Sequence, residues 1–177
     1  GVPTDCPQRD ERLGWTGDLA AYTATAAWQF DSADFLHSWL LDLERETVHN
    51  PAGHVPYVVP DVLKYAHWPT FDLPFNGPTA IWGDAAIWVP EALWHAHGDL
   101  DRLRAHYPGM VAHLDSVVAA VSPSGLWDQG FQFADWLDPD APPDRPIEAK
   151  ADPGVVATAC LYRSARFAAE TAGLLGL

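Results

Sequence analysis

Apolar residues recur with a helical period in five segments of the chain, and this pattern limits the fold more than any other feature. The clearest segment begins at Leu100, and its apolar positions repeat every three or four residues as far as Val121. No segment shows a convincing strand pattern, so the sequence predicts an all-α fold. The other predicted helices run from Thr16 or Gly17 to a break at Asp31 and Ser32, from there to near His49, over 84–97, and over 153–175.

Residues that start and stop helices mark several of these boundaries. Gly98 is typical of a helix C-terminus, and Asp99 directly after it is typical of the next N-cap. Gly176 is expected to stop the last helix. Pro90 and Pro108 lie inside predicted helices, where each is expected to kink the helix or, at Pro90, to split off its first turn.

Two long segments between the helices, 50–80 and 122–152, are predicted to be loops. Six prolines in 50–80 exclude a regular helix and a central strand. The first loop holds five aromatic residues and the second holds four, more than a solvated linker would carry. Because long loops without regular structure usually carry function or form a lid, we expect a site here. Helices separated by such loops are expected to pack in pairs.

Charge and length exclude several classes of protein. The 177 residues fit one domain, and 24 Asp and Glu against 10 Lys and Arg leave a net charge of -14. This acidic balance argues against a nucleic-acid or anionic-membrane partner, and no apolar run approaches the roughly 18 residues of a membrane span. Two cysteines are too few for a disulfide framework or a cysteine zinc site. Because the chain lacks an initial Met, we expect an excerpt of a longer protein, and its localisation cannot be read.

The densest polar segment lies near the start of the chain. Crowded carboxylates repel one another, and an indole beside a carboxyl group removes water, so both effects raise a carboxyl pKa towards that of a general acid. Carboxylates that stay ionised can accept paired hydrogen bonds from sugar hydroxyls. The alternative is a solvated acidic loop with local arginine pairs. The segment contains Asp5, Arg9, Asp10, Glu11, Arg12, Trp15 and Asp18.

The residues 3–18, PTDCPQRDERLGWTGD, resemble the hallmark of bacterial α-L-rhamnosidases of glycoside hydrolase family 78. Ile81–Ala85, Asp135–Leu137 and Val156–Ala159 are similar to further family motifs and occur in the family's order. The resemblance implies an (α/α)6 barrel of twelve helices in two layers, with a sugar cleft built from the loops at one end. Five helices amount to about half of it, so residues 1–177 are expected to be a partial catalytic domain, incomplete at the C-terminal side.

The resemblance also implies roles for individual residues. Glu11 matches the general acid, which protonates the leaving glycosidic oxygen. The substrate-binding matches are Asp5 and Asp18, which hold rhamnose hydroxyls, Arg9, which contacts the substrate, and Trp15, Trp82 and Trp136, which wall the sugar subsite. No cofactor is needed.

The family inverts configuration, so a second carboxylate must activate water across the ring, about 6.5–9.5 Å from the acid. In the family this base lies later in the barrel. Neither Glu148 nor Glu170 sits in a matching motif, so the base is expected beyond this chain.

The function implied is hydrolysis of terminal α-L-rhamnose from glycosides or oligosaccharides, with the isolated chain inactive. Its other partner would be the missing remainder of its own barrel, and exposed helix faces predict poor solubility alone. One alternative is a non-catalytic helical sugar-binding module that keeps the pocket but lacks the base. Another is an (α/α)-barrel glycosidase with a different sugar.

Several residues allow two interpretations. The nine tryptophans indicate either a core that favours large side chains or a cleft that stacks sugar rings. Asp84 and Asp135 could touch sugar, or they could cap a helix and brace the fold. Cys6 is interpreted as packing, and His95 and His97, two residues apart, are not expected to bind metal. Trp39, Trp88 and Trp94 are predicted to be core, whereas Trp68, Trp127 and Phe133 stay open.

Overall fold

The computed structural model describes residues 12–65, 77–136 and 138–177. Within these ranges the regular structure is helical, with one isolated antiparallel bridge between Trp15 and Val58 and no strand. The prediction of an all-α fold is therefore confirmed. The α-helices are α1, Thr16–Gln29; α2, Ala33–His49; α3, Ala85–His97; α4, Leu100–Ala120; and α5, Pro153–Leu175, with a short 3-10 helix over Leu63–Tyr65.

The predicted helix ends are also confirmed. Gly98 ends α3 in the left-handed region at φ 64°, and Gly176 ends α5 at φ 74°. The Asp99 side chain accepts the Arg102 backbone N–H at 3.0 Å and caps α4. Both α3 and α4 continue through their internal prolines, so Pro90 does not split off a first turn.

The helices form two layers. In one layer α1 packs on α3 and α3 packs on α5, and in the other α2 packs on α4. Contacts of α3 with α2 and α4, and of α4 with α5, join the layers. The connections from α1 to α2 and from α3 to α4 are short, whereas long segments lead into α1, α3 and α5. The short-linked α3 and α4 pack on one another as a hairpin, which agrees with the expectation of an (α/α)6 barrel.

The core lies between the two layers and around α3, which is buried along most of its length. Trp39 and Trp88 lie in it, as predicted, and Trp94 packs against its edge. Trp127 is only 1% exposed, so this loop tryptophan belongs to the core. In the described part of the chain, no helix combines the length and the apolar character that crossing a membrane requires.

Candidate functional site

The segment that leads into α1 is hydrogen-bonded to the long loop that precedes α3. The Thr16 N–H donates to the Tyr57 carbonyl oxygen at 2.9 Å, and the Val59 N–H donates to the Gly14 carbonyl oxygen at 2.9 Å. The buried Thr16 hydroxyl lies 3.1 Å from the Tyr57 oxygen and donates to it. Two segments that are more than 40 residues apart therefore meet at the start of α1.

The segment that precedes α5 joins them through aromatic side chains. Phe133 packs on Trp82 with ring centroids 4.2 Å apart, on Tyr57 at 5.2 Å and on Trp136 at 5.9 Å. Trp15 packs against the same group. We call these five residues the indole cluster. The structure thus brings together Trp15, Trp82 and Trp136, the three tryptophans that the resemblance assigned to one sugar subsite.

The three tryptophans differ in accessibility. Trp82 is 5% exposed and forms the base of the cluster, whereas Trp15 and Trp136 are half-buried. The Trp82 ring lies against Gly17, where even a Cβ atom would come within 2.7 Å of its Cδ2. The indole N–H groups of Trp15 and Trp82 are buried and find no acceptor among the residues described.

The carboxylates predicted for the site are described only in part. Asp18 is exposed on the first turn of α1, where the helix dipole favours an anion. It lies three residues after Trp15, which directly precedes the helix. Asp5, Arg9 and Glu11 lie outside the described residues, as do Cys6 and Trp68.

Asp84 braces the fold and is buried, with 1% of its surface exposed. It accepts hydrogen bonds from the Ile81 N–H at 2.7 Å and the Ser164 hydroxyl at 2.5 Å, and His113 Nε2 lies 3.5 Å away. Burial alone would raise the pKa of Asp84, but His113, Ser164 and the Ile81 N–H together hold that pKa below its usual value. Asp135, by contrast, is exposed.

Sequence reasoning missed the members of the site that no local pattern marks. Phe133, whose role stayed open, is the ring that links Trp82 to Trp136. Ser164 is 80 residues from Asp84 in the sequence. The sequence feature that could have indicated its role is its position on the buried face of α5, which it shares with Cys160 and Phe167.

Metal binding has no support in the described part of the chain. His95 and His97 are exposed at the end of α3, away from the indole cluster. Among the residues described, no three His, Cys, Asp or Glu side chains are grouped so that they could hold a metal ion. Cys160 is buried, and burial raises the pKa of its thiol to about 12.

The chain is similar to known proteins along almost its whole length. The model of the bacterial alpha-L-rhamnosidase 6 hairpin glycosidase domain matches residues 1–177. An alpha-L-rhamnosidase of Formosa agariphila is 34% identical over 99% of this chain and 17% of its own length. The crystal structure of an α-L-rhamnosidase from Aspergillus terreus matches with a TM-score of 0.85 and 41% identity, covering 99% of this chain and 19% of that one.

A Streptomyces avermitilis α-L-rhamnosidase, crystallised with L-rhamnose, matches with a TM-score of 0.77 and 35% identity over 99% of this chain and 15% of its own. The chain thus spans less than a fifth of the length of these relatives. The family model covers every residue of the chain, and the solved structures match it in fold. The chain therefore belongs to the six-hairpin glycosidase domain family of bacterial α-L-rhamnosidases, a family of glycoside hydrolases.

Proposed function

We propose that residues 1–177 are the first part of the catalytic domain of an inverting α-L-rhamnosidase and carry its general acid and much of its rhamnose subsite. The observation that carries this proposal is the indole cluster, in which Trp15, Trp82 and Trp136 meet at one end of the helical layers. Rhamnose carries a methyl group, so an apolar aromatic wall suits it. In this proposal Trp82 forms the base of that wall, and Trp15 and Trp136 contribute its more accessible rings.

Glu11 is the proposed general acid. Four residues separate it from Trp15, so the chain keeps its Cα within about 14 Å of the Trp15 Cα even when fully extended. A carboxyl group beside indoles loses hydration, which favours its protonated form at neutral pH. It can then give its proton to the glycosidic oxygen as the bond to the aglycone breaks.

The sugar hydroxyls are held by charged groups around this wall. Asp18 stands on the first turn of α1, three residues from Trp15, and an ionised carboxylate there can accept hydrogen bonds from neighbouring hydroxyls. Asp5 and Arg9 are proposed to bind the same ring. The base that activates water belongs to the rest of the domain, about 6.5–9.5 Å from the acid on the opposite face of the sugar.

The test is Glu11→Gln in the full-length protein that carries this chain. Turnover of an aryl α-L-rhamnoside is expected to fall by about 10²–10⁴-fold, because proton transfer to the leaving group is lost. The Kd for L-rhamnose is expected to stay within about threefold, because glutamine keeps the shape of the side chain.

Glu170→Gln is the matched control. Glu170 is exposed near the end of α5, three residues after Phe167, which packs on His95 at the opposite end of α3 from Trp82, so both constants should stay at the parent values. If Glu11→Gln hydrolyses the aryl rhamnoside at the parent rate, Glu11 is not the general acid. Rhamnose binding without any hydrolysis by the parent protein would instead support the sugar-binding module.

A further inference from the structure

We propose that Asp84 is a positioning residue for the rhamnose subsite and that it sets the orientation of Trp82 through the backbone of Ile81. This inference rests on the proposed function, because it concerns the same subsite. Asp84 Oδ2 accepts the Ile81 N–H at 2.7 Å, and Trp82 is the next residue of the chain. The buried carboxylate of Asp84 thus hydrogen-bonds directly to Ile81, the residue before Trp82.

Asp84 does not act as a helix cap, although it directly precedes α3. Its backbone has φ -63° and ψ -12°, and its side chain makes no capping hydrogen bond to the helix. The carboxylate bonds instead to a residue three positions earlier. Its contacts thus stabilise the turn over residues 79–84 and not the first turn of α3.

That turn contains a strained residue. Ile81 has φ 69°, a left-handed conformation that β-branched residues rarely adopt. Such a conformation persists where surrounding contacts determine it, and the bond from its N–H to Asp84 is such a contact. If the backbone at Ile81 relaxed, the direction in which the next side chain leaves the turn would change.

Two further helices fix the carboxylate itself. The Ser164 hydroxyl of α5 donates to Asp84 Oδ1 and in turn accepts the Trp88 indole N–H at 2.9 Å. His113 of α4 lies 3.5 Å from the same oxygen. A buried charge is costly unless it has such partners. Asp84 therefore links the positions of α3, α4 and α5 to the conformation at Ile81.

Trp82 has little freedom to adopt another orientation without loss of contacts. Its ring lies against Gly17 on α1 and packs on Phe133. A small rotation would therefore disturb the wall that this proposal assigns to the sugar. For this reason a change at Asp84 should appear mainly as weaker binding of rhamnose.

The first measurement uses Asp84→Asn in the full-length protein. The amide keeps one acceptor oxygen, turns the other terminal atom into an N–H donor and removes the negative charge, so the contacts of Asp84 to Ile81, Ser164 and His113 cannot all stay as they are. We expect the Kd for L-rhamnose, measured by calorimetry, to rise about tenfold, and kcat on an aryl rhamnoside to change less than about threefold.

The chain offers a matched control. Glu91→Gln makes the same change of carboxylate to amide two turns further along α3, about 10.5 Å away, where Glu91 pairs with Arg163 of α5 at 2.7 Å. Its thermal stability is expected to fall while its Kd for rhamnose stays at the parent value. An equal rise of Kd in both variants would indicate general loosening and overturn the positioning role.

A double-mutant cycle tests whether Asp84 acts through Trp82. Trp82→Phe alone is expected to raise the Kd for rhamnose about fivefold, through the smaller ring. In that background Asp84→Asn should add less than about twofold, because the ring that it positions is gone. A further tenfold rise would show that Asp84 acts independently of Trp82 and would overturn the inference.

The outcomes also separate the two proposals. If Trp82→Phe leaves rhamnose binding unchanged, the proposed subsite fails and the positioning role fails with it. If Trp82→Phe weakens binding but Asp84→Asn does not, only the positioning role is overturned.

Should Asp84→Asn fail to fold, Ser164→Ala removes one partner of the carboxylate, and we expect about a threefold rise in Kd. An unchanged Kd in that variant would also overturn the inference.

Discussion

The close fit between Gly17 and Trp82 makes Gly17→Ala a sensitive test of the site's geometry. A Cβ atom at this position would lie 2.7 Å from Trp82 Cδ2 and 2.8 Å from Cε2, closer than such atoms approach in folded proteins. Trp82 is 5% exposed and Phe133 packs against its ring, so the indole cannot retreat without disturbing its neighbours. Either α1 or the ring must shift.

The size of the effect follows from two opposing terms. Alanine in place of glycine inside a helix usually stabilises a protein by about 0.5–1 kcal/mol. Overpacking of a well-filled interior costs about 1–3 kcal/mol. The net result lies between about zero and a loss of about 2.5 kcal/mol, and at about 2–4 °C per kcal/mol for a domain of this size it lowers Tm by up to roughly 10 °C.

Gly173→Ala is the control, because Gly173 also lies in a helix but has no atom within 4 Å of the position of its added Cβ. This variant is expected to gain up to about 1 kcal/mol and a higher Tm. Calorimetry on both variants of the full-length protein, with the Kd for L-rhamnose alongside, measures the difference. A rise in Tm for Gly17→Ala like that of Gly173→Ala would refute the packing that we describe.

Three further predictions concern the helical layers. Asp152 accepts two backbone N–H groups at the start of α5, so Asp152→Ala should cost about 1 kcal/mol in thermal unfolding, and Asp152→Ser should recover most of it. With its thiol pKa raised to about 12, Cys160 should resist iodoacetamide at pH 8 until the protein is unfolded, as peptide mapping would show. Burial, His106 and Arg102 lower the pKa of His37, so the unfolded chain binds this proton more readily and stability should fall as the pH drops below about 6.5. In His37→Asn the fall in Tm between pH 7 and pH 5 should be smaller, and an identical fall would contradict this.

Much of the fold could be predicted from the sequence because helices are local structures. The apolar period marked all five helices, and residues such as Gly98 and Asp99 marked ends within one or two positions. The arrangement of layers could not be derived in this way, since it depends on contacts between distant segments. It came from the resemblance to a family, and the contacts of α3 with four other helices agree with it.

The candidate site was predicted less completely, for a physical reason. Trp15, Trp82 and Trp136 lie within recognisable motifs, and the structure brings them together. Phe133 and Ser164 have no such motif, and their roles depend on bonds and ring contacts with residues more than 50 positions away. Whether Asp84 caps a helix, braces a turn or touches sugar depends on side-chain direction, which no spacing in the sequence determines.

Backbone strain in the described residues is concentrated where the site is proposed. Three non-glycine residues there have a positive φ: Arg12 at 46°, Ile81 at 69° and Ala134 at 50°. Arg12 follows the proposed acid, Ile81 precedes Trp82, and Ala134 lies between Phe133 and Trp136. Each such conformation costs about 1–3 kcal/mol and persists where other contacts determine it. Because all three lie in the segments that lead into α1, α3 and α5, the strain favours a site at this end of the layers, which the helix packing must stabilise.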